Sequence, residues 1–365
     1  MAFGLPFAPP IPVVRAVERL RNALGRVYRG LAPGPVTLME LLAAGWLTQA
    51  VHAAAALGVA DALAAGPRTR GELARAVGAD EDALGRLLRL LASYGIFARR
   101  RDGRYALTPA ARALCRDAPV SLRDAALFFG SATHRAHWSR LADAVRTGTP
   151  ATGAASFFEF ARTDPEFGAL FDRAMTSIGS LTAEPVAATY DFAQFGNLVD
   201  IGGGQGAMLA EILARAPRSR GILFDLPEVV AGAAASLAET AVADRISVRS
   251  GSFFDAVPSG GDAYLLRHVL HDWPDERAAQ ILRTVRAAMT GDSRLLIVEL
   301  LLPRDGGPHP GKFIDLEMLV HSGGRERTEA EYRKLLAATG FAVDRVVPTI
   351  CPESVIEARP AGPSQ

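Results

Sequence analysis

The sequence is poor in cysteine, in lysine and in net charge. Its two cysteines, Cys115 and Cys351, lie far apart and match neither a metal-ligand spacing nor a disulfide framework. A reducing compartment fits this usage, and we expect a cytoplasmic protein. Lys312 and Lys334 are the only lysines, and the formal net charge is +1. Because no global field steers the chain to nucleic acid or to anionic membranes, a small and roughly neutral partner is favoured.

The sequence also predicts neither a signal peptide nor a membrane span. Residues 1–12 have no basic segment ahead of an apolar stretch, so they do not match a signal peptide. Residues 41–63 are apolar, but Gly45, Gly58 and Asp61 interrupt them. The pattern favours helices buried at a subunit interface, and we expect a homodimer.

The N-terminal third shows short, repeatedly punctuated helices. Within residues 43–114, Thr69 and Asp80 are each placed to cap a helix. Residues 94–97 and 105–107, on either side of a basic turn, predict a β-hairpin. Helix, helix and hairpin in this order are typical of a winged-helix domain.

The C-terminal half changes to short β-rich runs that alternate with helical segments. Residues 120–188 before it are helical without strand signals. The alternation predicts an α/β fold with a doubly wound, mostly parallel sheet. The candidate strands are residues 197–201, 221–226, 246–250, 263–268 and 294–300. Residues 341–350 and 354–358 have no helix between them, so we expect an antiparallel pair at the sheet edge.

A glycine-rich loop follows the first of these strands. Asp200 precedes Gly202, Gly204 and Gly206 in the spacing G-x-G-x-G, which differs from the pyrophosphate-binding G-x-G-x-x-G. The cluster suits a nucleotide-like cofactor without phosphate. Asp225 ends the next strand, where an acid can accept both ribose hydroxyls. The alternative is that Asp225 only caps a helix.

Five motifs together resemble one enzyme family. They are residues 200–206, 224–227, 251–254, 271–273 and 323–327. They resemble the small-molecule O-methyltransferases of the plant-caffeate and bacterial-polyketide type over about residues 43–358. The resemblance implies S-adenosylmethionine as cofactor, S-adenosylhomocysteine as product and no metal. It also implies three regions: an N-terminal arm and winged-helix dimerisation domain (1–115), a helical connecting region that lines the substrate site (116–189) and a Rossmann-like methyltransferase domain (190–365).

The resemblance also implies which residues bind the cofactor. They are Asp200, Gly202, Gly204, Asp225, Leu226, Ser252, Phe253 and Arg267. Asp225 is expected to bind the ribose, and Phe253 to pack on the adenine. The family usually has Asp where this chain has Ser252, and an uncharged hydroxyl should make a weaker bond to the adenine amino group.

His271 is the residue that we expect to act as general base. A phenol with a pKa near 10 is a poor nucleophile at neutral pH, and a histidine with a pKa of about 6.5 can take its proton. Glu299 and Glu326 match positions that orient this imidazole. His271 could otherwise only begin a capped helix, and Glu326 could pair with a neighbouring arginine. His268 should alternate away from the site on its strand, so we do not include it.

Six residues match positions that bind the acceptor. They are Phe167, Phe171, Met175, Asp272, Met318 and Ser322. Without the resemblance, an aromatic stripe on a helix would be assigned to the core. Glu317 stands where the family usually has an apolar residue. An unpaired carboxylate there must turn to solvent, meet an arginine or contact the substrate, and we expect a polar acceptor.

Two other functions remain open at this point. Some relatives use the fold for hydroxylation or decarboxylation, although His271 and its two acids favour methyl transfer. A winged-helix regulator would read DNA with residues 81–93, but this helix carries acids beside its arginines. Polyketide, phenazine, indole and simple phenol all remain candidate acceptors.

Overall fold

A computed structural model describes residues 10–153, 157–304 and 306–362. The chain packs as two compact units. The first contains residues 23–139 and 161–178, and the described part of the second contains residues 10–22, 140–153, 157–160, 179–304 and 306–362. Three helices contribute residues to both units: α1 (Ile11–Gly30), α10 (Phe157–Thr163) and α11 (Pro165–Thr189).

The first unit is helical apart from one hairpin. Its helices are α2 (Gly34–Ala56), α3 (Val59–Ala62), α4 (Arg70–Val77), α5 (Glu81–Ser93), α6 (Pro109–Arg112), α7 (Arg123–Phe129) and α8 (Ala132–Trp138). Thr69 caps α4 through a capping box, and the Asp80 side chain accepts from the Ala83 amide at the start of α5. Strands β1 (Phe97–Arg99) and β2 (Tyr105–Leu107) pair antiparallel. Both caps and the hairpin that the sequence predicts are confirmed.

Helix α2 leaves large apolar side chains on the surface of the chain. Its buried residues are Ala50, Ala54 and Ala55, whereas Leu38, Leu42 and Trp46 are exposed, Trp46 to 71%. A single copy of the chain therefore does not bury the apolar face of this helix. None of the helices that the structure describes has both the length and the apolar character of a membrane span.

The second unit is built on a seven-stranded sheet. The strands are β3 (Asn197–Ile201), β4 (Arg220–Asp225), β5 (Ile246–Ser250), β6 (Ala263–Arg267), β7 (Arg294–Leu300), β8 (Phe341–Pro348) and β9 (Glu353–Pro360). Their order is β5-β4-β3-β6-β7-β9-β8. The first five are parallel, while β9 pairs antiparallel with both β7 and β8. The predicted parallel sheet and its antiparallel edge pair are confirmed.

Helices cover both faces of this sheet because successive strand residues point to opposite sides. On one face Ile201 and Ile297 pack with residues of α14 (Asp275–Ala288) and α16 (Glu329–Ala337). On the other Leu198 and Val298 pack with residues of α12 (Ala207–Arg215) and α13 (Pro227–Ala238). The remaining helices of the unit are α9 (Leu141–Thr147) and α15 (Gly311–His321).

The strand order reverses between β3 and β6. In doubly wound sheets, ligands bind outside the carboxyl ends of the strands at this switch point. Asp200 and the glycine loop lie at the end of β3, and Arg267 and His268 at the end of β6. The topology therefore brings these two sets of predicted residues to one edge of the sheet.

Candidate active site

The glycine loop turns sharply as it leaves β3. Gly202 has a φ of 67°, and a Cβ there would lie 2.8 Å from Cγ2 of Val269 and 3.6 Å from Cε1 of Phe253. Only glycine satisfies both the backbone angle and this close approach. The loop, the chain after β6 and the Phe253 ring thus meet at one place.

Asp225 binds the glycine loop. Its Oδ2 accepts from the Gly204 amide at 2.9 Å, and its Oδ1 accepts from the Leu226 amide at 2.7 Å. A helix cap would accept from an amide two or three residues into the helix, but Leu226 is the residue before α13. These two hydrogen bonds of Asp225 therefore link the ends of two adjacent parallel strands, which is the position expected of a ribose-binding acid.

Asp200, which is buried, and Arg267, which is partly buried, lie at the same edge of the sheet. Among the described residues, Oδ2 of Asp200 and Nε of Arg267 have no hydrogen-bond partner. Burial raises the pKa of Asp200 to about 7, and the attraction of Arg267 offsets part of this rise. Arg267 also donates from Nη2 to the Gly179 carbonyl at 2.9 Å and to the Thr182 hydroxyl at 2.7 Å. Each side chain thus carries a buried polar atom that no described residue satisfies.

Ser252 and Phe253 follow β5. The Ser252 hydroxyl accepts from the Phe254 amide at 3.2 Å, so part of its capacity as an acceptor is used locally. The Phe253 ring packs edge-on against Phe254 and Trp273, with centroids 4.9 and 6.3 Å apart. Ser252, which departs from the family pattern, thus lies beside Phe253, which matches it.

His271 lies in a 3₁₀ turn, Leu270–Asp272, that follows β6. Its Nδ1 is 2.7 Å from Oε1 of Glu326, while its Nε2 is 3.7 Å from Oδ1 of Asp272. The imidazole is nine-tenths buried. Because Glu326 engages Nδ1, Nε2 is the nitrogen that is left to exchange a proton with a substrate.

The two glutamates differ in what they contact. Oε1 of Glu299 accepts from the amides of Leu270 and His271 at 3.1 and 3.4 Å. Its Oε2 is 3.7 Å from Nδ1 of His271, too far for a hydrogen bond. Glu326 is therefore the direct partner of the imidazole, whereas Glu299 fixes the backbone that carries it.

The charges around His271 favour its protonated form. Burial lowers the pKa of His271, but the carboxylates of Glu299, Asp272 and Glu326 outweigh burial and raise the pKa to about 10. Burial raises the pKa of Asp272 to about 6, against the attraction of His271. The site thus stabilises an imidazolium, the form that appears when a base has taken a proton.

The segment that carries Glu326 is fastened to the His271 turn. A Cβ on Gly324 would collide with the His271 carbonyl oxygen, and the Arg325 amide donates to that oxygen at 2.8 Å. Arg327 is 1% exposed and donates from Nη1 to the Leu270 carbonyl and from Nη2 to the Trp273 carbonyl, both at 2.8 Å. The Arg327 guanidinium thus holds the chain on both sides of the histidine.

His268 is the site residue that the sequence analysis excluded. We expected it to point away as the last residue of a strand, but β6 ends at Arg267 and His268 has a φ of 51°. This left-handed backbone removes the strand alternation. The His268 ring lies 5.2 Å from the His271 ring. The premise that His268 continues the strand and points away from its neighbours was wrong, and no pattern of apolar residues signals such a turn.

The predicted acceptor residues lie in both units. In the first unit Phe167 and Phe171 pack against Phe128, with ring centroids 5.4 and 5.7 Å away, and Met175 is exposed. In the second unit the Ser322 hydroxyl donates to the Met318 carbonyl at 3.2 Å. Asp272, described above, is the sixth of these residues.

Glu317 is paired, contrary to the premise of the sequence argument. Its Oε1 lies 3.1 Å from Nδ1 of His321, one turn further along α15, and its side chain is 12% exposed. The carboxylate thus has a histidine partner, which the sequence argument did not consider. A polar acceptor therefore no longer follows from an unpaired charge.

The fold and the site define an enzyme of the methyltransferase class, and comparison with known proteins shows the family. Residues 138–342 match the family model of the O-methyltransferase domain, and residues 39–117 match that of the O-methyltransferase dimerisation domain. The chain belongs to the S-adenosylmethionine-dependent O-methyltransferase family.

Three relatives illustrate the similarity. The phenazine O-methyltransferase PhzM of Lysobacter antibioticus is 41% identical over 91% of this chain and 98% of its own length. CalO1, a methyltransferase in calicheamicin biosynthesis solved with S-adenosylhomocysteine, is 35% identical, with a TM-score of 0.79 over 90% of this chain and 98% of that one. NcsB1, an O-methyltransferase from neocarzinostatin biosynthesis solved with S-adenosylmethionine and 2-hydroxy-5-methyl naphthoic acid, is 38% identical, with a TM-score of 0.71 over 86% and 96%.

Proposed function

We propose that this protein methylates a hydroxyl group of a small aromatic molecule and that His271 is the general base. The observation that carries the proposal is the buried contact between His271 Nδ1 and Glu326 Oε1, with Nε2 left for the substrate. As the hydroxyl oxygen becomes a nucleophile, its proton moves to Nε2. Glu326 and Glu299 stabilise the resulting imidazolium, and solvent later removes the proton.

The cofactor edge of the sheet fits S-adenosylmethionine. Asp200 and Arg267 keep unpartnered polar atoms for its charged methionine part, and Asp225 lies where a ribose would bind. Phe253 supplies an apolar ring for the adenine beside Ser252. When bound, the cofactor supplies an electrophilic methyl group on a sulfonium. The protein's own work is then to orient the acceptor and take its proton.

Asp225 gives a direct test of the cofactor site. Asp225→Ala should weaken S-adenosylhomocysteine binding at least about tenfold, because a charge-assisted hydrogen bond to a ribose is lost. Isothermal titration calorimetry measures the dissociation constant. Glu239→Ala, on the exposed end of α13, is the matched control and should leave it unchanged. Equal affinities of the wild type and Asp225→Ala would place the cofactor elsewhere.

The acceptor is an aromatic hydroxy compound, by analogy with the naphthoic acid in NcsB1. Phe167, Phe171, Met175, Met318, Ser322 and Asp272 are proposed to contact it. Incubation with S-adenosylmethionine and a panel of phenols, hydroxynaphthoates and hydroxyphenazines, read by mass spectrometry, should show one product heavier by the mass of a methylene group. Methylation of an arylamine without any hydroxyl, or hydroxylation or decarboxylation of the acceptor, would contradict the proposal.

We also propose that the chain works as a homodimer through the apolar face of α2. Leu42 and Trp46 are exposed on α2 within the matched dimerisation domain, and Leu38, just before the match begins, is exposed on the same helix. Such a face is usually buried in a two-fold symmetric dimer, in which the same surface of each copy contacts the other. Sedimentation at micromolar concentration should show a dimer, and Trp46→Glu should shift it toward monomer. A wild type that sediments as a monomer would exclude this role.

A further inference from the structure

An alternating row of acids and histidines runs behind the proposed base. Oε2 of Glu299 lies between two imidazoles, 3.7 Å from Nδ1 of His271 and 3.6 Å from Nδ1 of His268. At the far end, Nε2 of His268 is 3.2 Å from Oε1 of Glu353. With Glu326 on His271, the row reads Glu353, His268, Glu299, His271, Glu326. This Glu299 oxygen thus lies within ion-pair distance of both histidines, although neither distance is short enough for a hydrogen bond.

The backbone of His268 is strained. Among the described residues it is the single non-glycine residue with a positive φ. A left-handed conformation in a residue with a side chain is unfavourable and persists where surrounding contacts enforce it. The contacts that enforce it here are those of the ring with Glu299 and Glu353, together with the bond from the His268 amide to the Val298 carbonyl.

We propose that His268 is a positioning residue for the base. It competes with His271 for the Glu299 carboxylate and so keeps the proton on His271 exchangeable. The inference rests on the proposed role of His271. Without His268, Glu299 would act on His271 alone, and the neutral imidazole that can accept a proton would form more rarely.

The pKa values of His271 and His268 depend on the charged groups that face the two rings. The groups around His271 are Asp272 in its own turn, Glu299 on β7, Glu326 before α16 and His268. Those around His268 are Glu299, Glu353 on β9 and His271. Arg267 acts on Glu353, and Arg327 acts on Glu299. Burial lowers the pKa of His268, but Glu299 and Glu353 raise it above its ordinary value. Because Nδ1 faces Glu299 and Nε2 faces Glu353, the ring protonated on both nitrogens fits this environment best.

The test removes this cation without adding backbone strain. His268→Asn is the variant of choice because asparagine tolerates a left-handed backbone better than other residues do. Loss of a like charge near His271, with Glu299 now left to His271 alone, should raise the pKa of His271 by about one unit. The value of kcat/KM at pH 8 should fall about tenfold, since the neutral fraction of His271 falls tenfold.

His268→Lys is the matched variant, because it keeps the charge and is no better suited to the backbone angle. We expect its His271 pKa to lie within a few tenths of a unit of the wild-type value. Nuclear magnetic resonance of ¹⁵N-histidine-labelled protein between pH 6 and 11 measures this pKa without any turnover. The His271 signal is assigned by its absence in His271→Ala.

The outcomes separate the inference from the function on which it rests. If His271 titrates at the same pH in wild type and His268→Asn, the competition for Glu299 is absent and the inference is wrong. Equal shifts of the His271 pKa in His268→Asn and His268→Lys would show that the effect comes from a change in the fold and not from the lost charge. That result would also overturn the inference. If His271→Ala turns over normally, it is the proposed base that fails.

Discussion

His271→Ala should lower kcat by about 10²- to 10⁴-fold at neutral pH, because the acceptor then loses its proton without a general base. The dissociation constant of S-adenosylhomocysteine should change little, since we place the cofactor on Asp200, Asp225 and Phe253. His271→Gln is the companion variant. It keeps a polar side chain beside Glu326, and it shows whether any loss comes from a disturbance of the fold by the three carboxylates that no longer face an imidazole. Circular dichroism reports that disturbance directly.

The pH dependence gives a second signature of the same base. Because the pKa of His271 is raised to about 10, its neutral form grows as the pH rises, and wild-type kcat/KM should increase from pH 6 toward pH 10. An ordinary phenol loses its own proton near pH 10. The difference in kcat/KM between wild type and His271→Ala should therefore become smaller as the pH approaches 10. Turnover of the variant within threefold of wild type at pH 7 would remove His271 from this role.

The architecture of the second unit could be predicted from the sequence to within one or two residues at most strand ends. β3, β5 and β7 begin and end where the pattern predicts. This works because short β-rich runs between helical segments leave few alternatives to a parallel sheet. The end of β6 could not be predicted, because contacts with residues far along the chain hold His268 in its backbone angle.

Contacts between distant segments set the rest of the site. From the sequence, Glu299 and Glu326 were equally able to hold the imidazole, and only the distances of 3.7 and 2.7 Å to Nδ1 separate them. Glu353 lies 85 residues from His268, and no local pattern links the two. The pairing of Glu317 with His321 is different. An acid and a histidine four residues apart on a helix are neighbours, so their spacing could have predicted it.

Arg327→Met should lower the free energy of unfolding by about 3 kcal/mol, because two carbonyls lose their donor and each unsatisfied buried acceptor costs about 1–3 kcal/mol. Those carbonyls belong to Leu270 and Trp273, on either side of His271. The ion pair with Asp275 adds little, since the Asp275 side chain is 59% exposed. Methionine fills a comparable volume, so the loss of donors dominates over the loss of packing. Urea denaturation followed by circular dichroism measures the change.

The same substitution should also lower kcat about 10- to 100-fold under conditions where the variant is folded, because a catalytic group that shifts by about 1 Å loses much of its effect.

Arg333→Met is the matched control. Arg333 is exposed on α16 and forms a surface ion pair with Glu329, so its loss should cost under about 1 kcal/mol and leave kcat unchanged. Arg327→Lys keeps the charge, but lysine has no planar fork with which to reach both carbonyls and Asp275. Its stability and its kcat should therefore lie between those of Arg327→Met and Arg333→Met. If Arg327→Met unfolds in urea at the wild-type midpoint, the guanidinium does not hold the His271 turn. If it is destabilised yet turns over at the wild-type rate, Arg327 stabilises the fold without positioning the base.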